Sequence, residues 1–287
     1  MPNTTPVSPT ATPVIIAGAP RSGTTFLTTA LNSHPQVMIT NELRAWIVFN
    51  DLRNRTKNLN EALPEHPMRD EFRKALLQNC RETFINFYRN KITRDTLGCP
   101  APAYERPSVE PIIKAFGDKN PSYADTHSEG CLDFIANSMK NCKFIHIHRD
   151  PRSCAASYKE VPIYAKEVDR WINIWKRHTQ SMVDIHERLG DERVLQFAYE
   201  DFVTEKGDAI FQRIEAFIGV DHAEEPFEFL RRERTAPTPY RTPATPAKYL
   251  GKTTYRDRLS PSEVSRIDEQ CSALEDLLHK PVKRYPL

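Results

Sequence analysis

Apolar residues recur along this chain in two rhythms. Val14-Ile15-Ile16-Ala17 is short, largely β-branched and apolar at every position, as a strand buried on both faces of a parallel sheet must be. Gly18 to Gly23 then makes a tight loop. From Ser22 the rhythm turns helical, with Phe26, Leu27, Ala30 and Leu31 on one face until His34-Pro35 stops it. Later segments repeat the alternation: 111–116 ends at Gly117, 143–148 at Arg149-Asp150-Pro151, and 193–197 at Tyr199-Glu200-Asp201. Helical stretches fall at 41–55, 68–92, 124–139, 151–160, 164–189, 204–217 and 260–279. Strands alternating with helices predict an α/β fold with a largely parallel sheet flanked by helices.

The first thirteen residues are rich in Pro, Thr and Ser and read as a mobile tail, with one domain over 14–287. Thr235 to Thr254 carries four prolines and little apolar content, and reads as a lid or ligand-covering loop. No internal repeat or second hydrophobic period marks another domain.

Forty Lys and Arg stand against 38 Asp and Glu, a net charge of +2, too even for a protein that coats nucleic acid or an anionic membrane. Any basic site is therefore local. No apolar run reaches the ~18 residues that cross a bilayer, and the N-terminus lacks a basic and an apolar signal region, so the reading is a soluble, cytoplasmic chain. The six cysteines are scattered without a CxxC pair, which fits reduced thiols and argues against zinc.

Gly18-Ala-Pro-Arg-Ser-Gly23-Thr24-Thr25 lies between a buried strand and a helix and has the spacing of a phosphate-cradling loop, so the sheet is of the P-loop type. Thr24 stands where nucleotide triphosphatases place Lys, and Arg21 is the substitute cation. The bland alternative is a glycine-rich turn, which needs neither the second glycine at this spacing nor the Arg. A second arrangement follows the 143–148 strand: Arg149 at its end, Pro151 opening a helix, and Ser157 about two turns in. Taken alone, Arg149 and Arg152 would be expected to pair with carboxylates such as Asp150. Two anion sites at neighbouring strand ends instead suggest a nucleotide phosphorylated at both ends of its ribose.

The segments PRSGTTFL at 20–27 and FIHIHRDPRSCAAS at 144–157 resemble the two phosphate motifs of sulfotransferases that use 3′-phosphoadenosine 5′-phosphosulfate, PAPS. The opening VIIAGAPRSGTTFLTTALNSHP with NELR at 41–44 looks most like the tyrosylprotein sulfotransferase branch and its bacterial relatives. GDKNP at 117–121 and AYEDF at 198–202 match more loosely. The resemblance implies that Arg21, Ser22, Gly23, Thr24 and Thr25 hold the 5′-phosphosulfate, and that Arg149 and Ser157 hold the 3′-phosphate. It further implies Glu42 as general base, Arg44 as a neighbouring cation, Lys119 as a cation aimed at the transferring group, Tyr199 as an adenine or ribose contact, and Lys252 as a 3′-phosphate ligand. Asn41 departs from the branch, which tends to carry a second acid there. No membrane anchor is evident either, so the acceptor stays open.

Sulfuryl transfer, like phosphoryl transfer, relies on placement and fixed positive charge, and it needs no metal here. Glu42 is the expected base; its bland alternative is a helix-start acid favoured by the macrodipole, and His127 and His178 are alternative bases. The expected reaction moves a sulfuryl group from PAPS to a hydroxyl or amine, releasing 3′,5′-adenosine diphosphate. A small-molecule acceptor is favoured slightly over a peptide tyrosine, with Trp46, Phe49 and residues 80–110 as pocket wall. A homodimer stays open. The rivals are a P-loop small-molecule kinase and a non-catalytic nucleotide-binding protein. His146 and His148 read as structural, Trp171 and Trp175 as core or pocket wall, and Arg231, Arg232 and Arg234 as a solvated helix face.

Overall fold

A computed structural model describes residues 6–62, 69–92, 112–125, 130–161, 167–235 and 255–279. Five strands, β1 (Val7–Ala17), β2 (Val37–Asn41), β3 (Ile113–Lys119), β4 (Lys143–His148) and β5 (Val194–Ala198), form one sheet in the order β2-β3-β1-β4-β5. All four pairings are parallel. The helices are α1 (Thr24–Ser33), α2 (Ala45–Ala62), α3 (Arg69–Asn90), α4 (Cys131–Ser138), α5 (Pro151–Lys159), α6 (Val168–Leu189), α7 (Tyr199–Phe202), α8 (Lys206–Ile218), α9 (Glu225–Thr235) and α10 (Pro261–Leu278). The connection from β3 to β4 passes over β1, so the strand order reverses around β1. In open sheets of this kind, ligands sit outside the carboxyl ends of the strands at such a reversal.

The continuous apolar run of β1 is used on both faces. Val14 and Ile16 join a cluster with Leu27, Leu31, Ile145 and Ile214, while Ile15 and Ala17 join one with Trp46, Phe84, Phe116 and Phe134. Each fully buried aliphatic side chain adds about 1.5–3 kcal/mol. A third cluster packs α5, α6 and α10 together through Trp171, Trp175, Ile267 and Leu274, which makes both tryptophans core residues. Trp46 and Phe49 also pack inward, Trp46 against Phe49, Phe84 and Phe134, and Trp46 is fully buried in the core.

Several elements differ from the sequence reading, among them the helix expected over 124–139, which is observed over Cys131–Ser138 after a 3-10 turn at Pro121–Ala124. Order begins before Pro13: β1 starts at Val7, which pairs with Ile113, and a register shift separates that pairing from the one at Thr12. Val7, Thr10 and Thr12 are β-branched, and β3 gives them a neighbouring ladder that no local pattern announces. The helix expected from 41 starts at Ala45, because residues 42–44 form a left-handed turn. The reading set Arg231, Arg232 and Arg234 on a helix face without bounding the helix; α9 is that helix, and it buries Phe227, Phe229 and Leu230 among its charges. The cysteines Cys80, Cys131, Cys142, Cys154 and Cys271 are free and buried. Burial pushes the Cys131, Cys142, Cys154 and Cys271 thiols up to about 12, which leaves them inert. The stretch 236–254, with Lys252, lies outside the described residues, as do His127, Cys99 and residues 93–111.

Candidate active site at the strand ends

The loop after β1 owes its shape to two glycines. A side chain at Gly18 would run into the carbonyl of Ile147 and sit 2.9 Å from Ser22 Oγ. Gly23, with φ 95°, occupies the left-handed region, and a Cβ there would collide with the ring of Tyr199. Gly23 is also the N-cap of α1 and offers no side-chain cap, so the first-turn N–H groups of α1 are open to an anion. Ser22 adds a second sign of a ligand: its hydroxyl is fully buried and has no hydrogen-bond partner. Thr24 is buried and Thr25 half-buried at the start of the helix.

The two motifs named from the sequence meet. Arg21 Nε donates to Ser157 Oγ at 3.0 Å, and an Arg149 terminal nitrogen donates to the Arg21 carbonyl at 3.2 Å. The Arg149 guanidinium lies 4.4 Å over the Tyr199 ring, with Glu200 at 3.9 Å. Tyr199 is thus wedged between Gly23 and Arg149. Asp150 caps α5 by accepting from the Arg152 N–H at 2.8 Å, with Pro151 behind it. Arg152 follows the bland reading: Asp150, Asp268 and Glu275 hold it.

A second group forms where β2 and β3 end. Asn41 and Lys119 are register partners, Glu42 N–H donates to the Lys119 carbonyl at 2.8 Å, and Lys119 Nζ donates to Glu42 Oε1 at 2.9 Å. Lys119 is buried and Glu42 reaches solvent. The non-glycine residues with positive φ among the described residues are Arg21, Glu42 and Arg44, at 72°, 63° and 61°. Each such residue costs about 1–2 kcal/mol, and strain of this kind persists where surroundings enforce it. The sequence nominated all three as site residues. The Arg44 side chain is exposed.

Below this turn lies Asp118, which the sequence reading passed over. Its buried carboxylate accepts from Thr40 Oγ1 at 2.6 Å and the Leu43 N–H at 3.1 Å on one oxygen, and from Tyr123 OH at 2.6 Å on the other. Burial raises its pKa, and the hydrogen bonds from Thr40 and Tyr123 pull it back. An acid in the GDKNP motif at a strand position facing inward was the available signal.

The remaining candidates lie elsewhere. His178 is buried on α6 with Nε2 3.8 Å from Asp125. His146 bonds Gln196 at 3.0 Å, and His148 meets His279 edge-to-face with ring centroids 5.7 Å apart. Arg231 pairs with Glu224 and Arg234 with Asp208, the latter partly buried and not simply solvated. A cavity of about 420 Å³ between the 3-10 turn Pro121–Ala124, α4 and α6 is lined by none of the nominated residues. Among the described residues there is no group of three or more His, Cys, Asp or Glu placed to hold a metal, and no helix long and apolar enough to cross a membrane.

A model described as the sulfotransferase family matches residues 13–224 of the chain. No curated protein matches it. Among solved structures, the fold is similar to the sulfotransferase domain from the Synechococcus PCC 7002 olefin synthase, with a TM-score of 0.56, 18% identity and 98% of each chain covered. It is likewise similar to the sulfotransferase domain from the curacin biosynthetic pathway, with a TM-score of 0.55 and 18% identity over 92% of this chain and 99% of that one.

Proposed function

Because this chain belongs to the sulfotransferase family, we propose that it moves a sulfuryl group from PAPS to a hydroxyl or amine on a small acceptor with an apolar body. The observation that carries the donor assignment is the joining of Arg149 and Ser157 to Arg21 of the anion loop. A nucleotide with phosphate at one end of its ribose would leave one of these sets idle.

The residues fit such a donor. The buried, unpartnered hydroxyl of Ser22, the uncapped start of α1 with Thr24 and Thr25, and Arg21 would hold the 5′-phosphosulfate. Arg149 and Ser157 would hold the 3′-phosphate, with Tyr199 supporting the guanidinium from beneath. When bound, PAPS supplies an electrophilic sulfur and leaves as 3′,5′-adenosine diphosphate. Glu42 takes the proton of the acceptor hydroxyl or amine, and Lys119 holds that carboxylate in place while offering positive charge to the transferring group. Arg44, on the same turn, presents a cation to solvent. Lys252, outside the described residues, stays a proposed 3′-phosphate ligand on the resemblance alone.

Val48 and Leu52, one turn apart on α2, are 63% and 41% exposed just after the Glu42 turn. That surface suits an apolar acceptor better than an acidic peptide, which would need a basic groove. The test is incubation with PAPS and a panel of phenols, aliphatic alcohols, amines and acidic tyrosine peptides, following release of 3′,5′-adenosine diphosphate. Acceptor-dependent release without added Mg²⁺ supports the reading. Turnover that requires ATP and Mg²⁺ would make the protein a kinase, and binding without turnover over the whole panel would favour a non-catalytic role.

A further inference from the structure

We propose that Asp118 is a positioning residue for Glu42: its buried carboxylate grips the Leu43 N–H and thereby holds the left-handed turn on which Glu42 faces Lys119. The inference rests on the reading of Glu42 as the general base.

The geometry is specific. Leu43 lies between Glu42 and Arg44, the two residues of the turn with positive φ, and its N–H is the backbone donor bonded to Asp118 Oδ1. Without an acceptor there, that N–H would be a partly buried donor without a partner, and the turn would have less reason to keep two non-glycine residues in a rare conformation. Asp118 is itself fixed from both sides. Thr40 donates to the same oxygen from β2 and Tyr123 to the other from the 3-10 turn that follows β3. The Tyr88 hydroxyl of α3 lies against both Thr40 Oγ1, at 2.5 Å, and the Gly117 carbonyl next to Asp118 in β3, and its one hydrogen serves one of these two oxygens. The carboxylate is fully buried, so substrate does not reach it. Its neighbour Lys119 points the other way along the strand and meets Glu42. One dipeptide therefore fixes the Glu42 side chain by its lysine and the Glu42 backbone by its aspartate.

The test is a double-mutant cycle on kcat between Asp118→Ala and Glu42→Gln, with affinity for 3′,5′-adenosine diphosphate measured by calorimetry on each protein. Asp118→Ala should lower kcat by roughly 100-fold or more, in the range of a lost catalytic donor, while nucleotide affinity stays within about twofold. In the Glu42→Gln background the same change should cost less than about threefold, since the group being positioned is already disabled. Asp118→Asn keeps an oxygen for the Leu43 N–H and can turn its amide towards the Tyr123 oxygen, so it should restore most of the rate. If Asp118→Ala does not fold, Tyr123→Phe takes its place in the cycle with a smaller expected loss. A cost of the same size in both backgrounds, or nucleotide affinity falling in step with rate, would overturn the positioning role and leave Glu42 as base. Full activity of Glu42→Gln would overturn the base assignment and this inference together.

Discussion

Lys119 and Glu42 are tied to each other twice, once through the side chains at 2.9 Å and once through the Glu42 N–H and the Lys119 carbonyl at 2.8 Å. The side chains differ in exposure, 2% for Lys119 and 41% for Glu42, so a buried lysine meets a carboxylate that reaches solvent. A surface ion pair would contribute little, but a lysine held this far from water keeps its partner oriented.

Glu42→Gln preserves an oxygen for Lys119 and removes the proton acceptor. The expected result is a fall in kcat of ~10²–10⁴, with affinity for 3′,5′-adenosine diphosphate nearly unchanged. Steady-state kinetics beside calorimetry checks it. A fall confined to KM would mean that Glu42 binds the acceptor without activating it.

Arg149 sits over the Tyr199 ring and against the Arg21 carbonyl, and in the proposed reading it meets the 3′-phosphate that sets one nucleotide apart from another. Arg149→Ala should weaken 3′,5′-adenosine diphosphate by roughly 10–100-fold, the worth of one hydrogen bond to a charged group, and ADP by about threefold or less. Arg149→Lys should not restore the difference, because an ammonium lacks the planar fork that stacks on the ring. Equal weakening of both nucleotides would displace the 3′-phosphate site.

Gly23→Ala tests whether the loop shape is required. The position has φ 95° and faces the Tyr199 ring, so the substitution costs at least ~1 kcal/mol in backbone conformation before any collision is counted. The melting temperature should fall by ~2–4 °C or more, and donor affinity should fall further than the loss of stability explains.

Two buried histidines predict how stability varies with pH. Burial lowers His146 to about 4, with Gln196 opposing and His186 assisting; burial and the neighbouring His146 and His279 lower His148 to about 3, with Asp201 opposing. Unfolded, both return to about 6.5, so below that pH the unfolded chain binds more protons than the folded one. Their stabilising effect is complete above about pH 6.5 and is lost as pH falls towards 4. Thermal unfolding should therefore drop by several degrees between pH 7 and 4.5, and His146→Leu should flatten the profile. A melting temperature that stays level over that range would contradict the assignment.

The loop between β1 and α1 was legible because its signal is local: two glycines at fixed spacing, an Arg, and hydroxyls at a helix start. The pairing of Arg21 with Ser157 joins residues 136 apart, and only the reversal of strand order around β1 brings them together. Glu42 and Lys119 were nominated by resemblance, but their pairing and the contact of the turn with Asp118 were not, since Lys119 and Asp118 lie in β3 and reach the turn through a register between β2 and β3 that carries no sequence mark. The segment before Pro13 failed for a similar reason. Pro9 and the hydroxyl residues look like a tail until β3 is placed beside them. In α9 the run of charges hid the spacing of Phe227 and Leu230.

The most direct test of the donor assignment is thermal unfolding with 3′,5′-adenosine diphosphate beside ADP and AMP. Ligand at ~100 times its dissociation constant adds ~2.7 kcal/mol, which for a chain of this size raises the melting temperature by about 5–10 °C. The account predicts that rise with the 3′,5′-diphosphate and a much smaller one with ADP or AMP. An equal or greater rise with ADP would contradict it and return the site to the kinase reading.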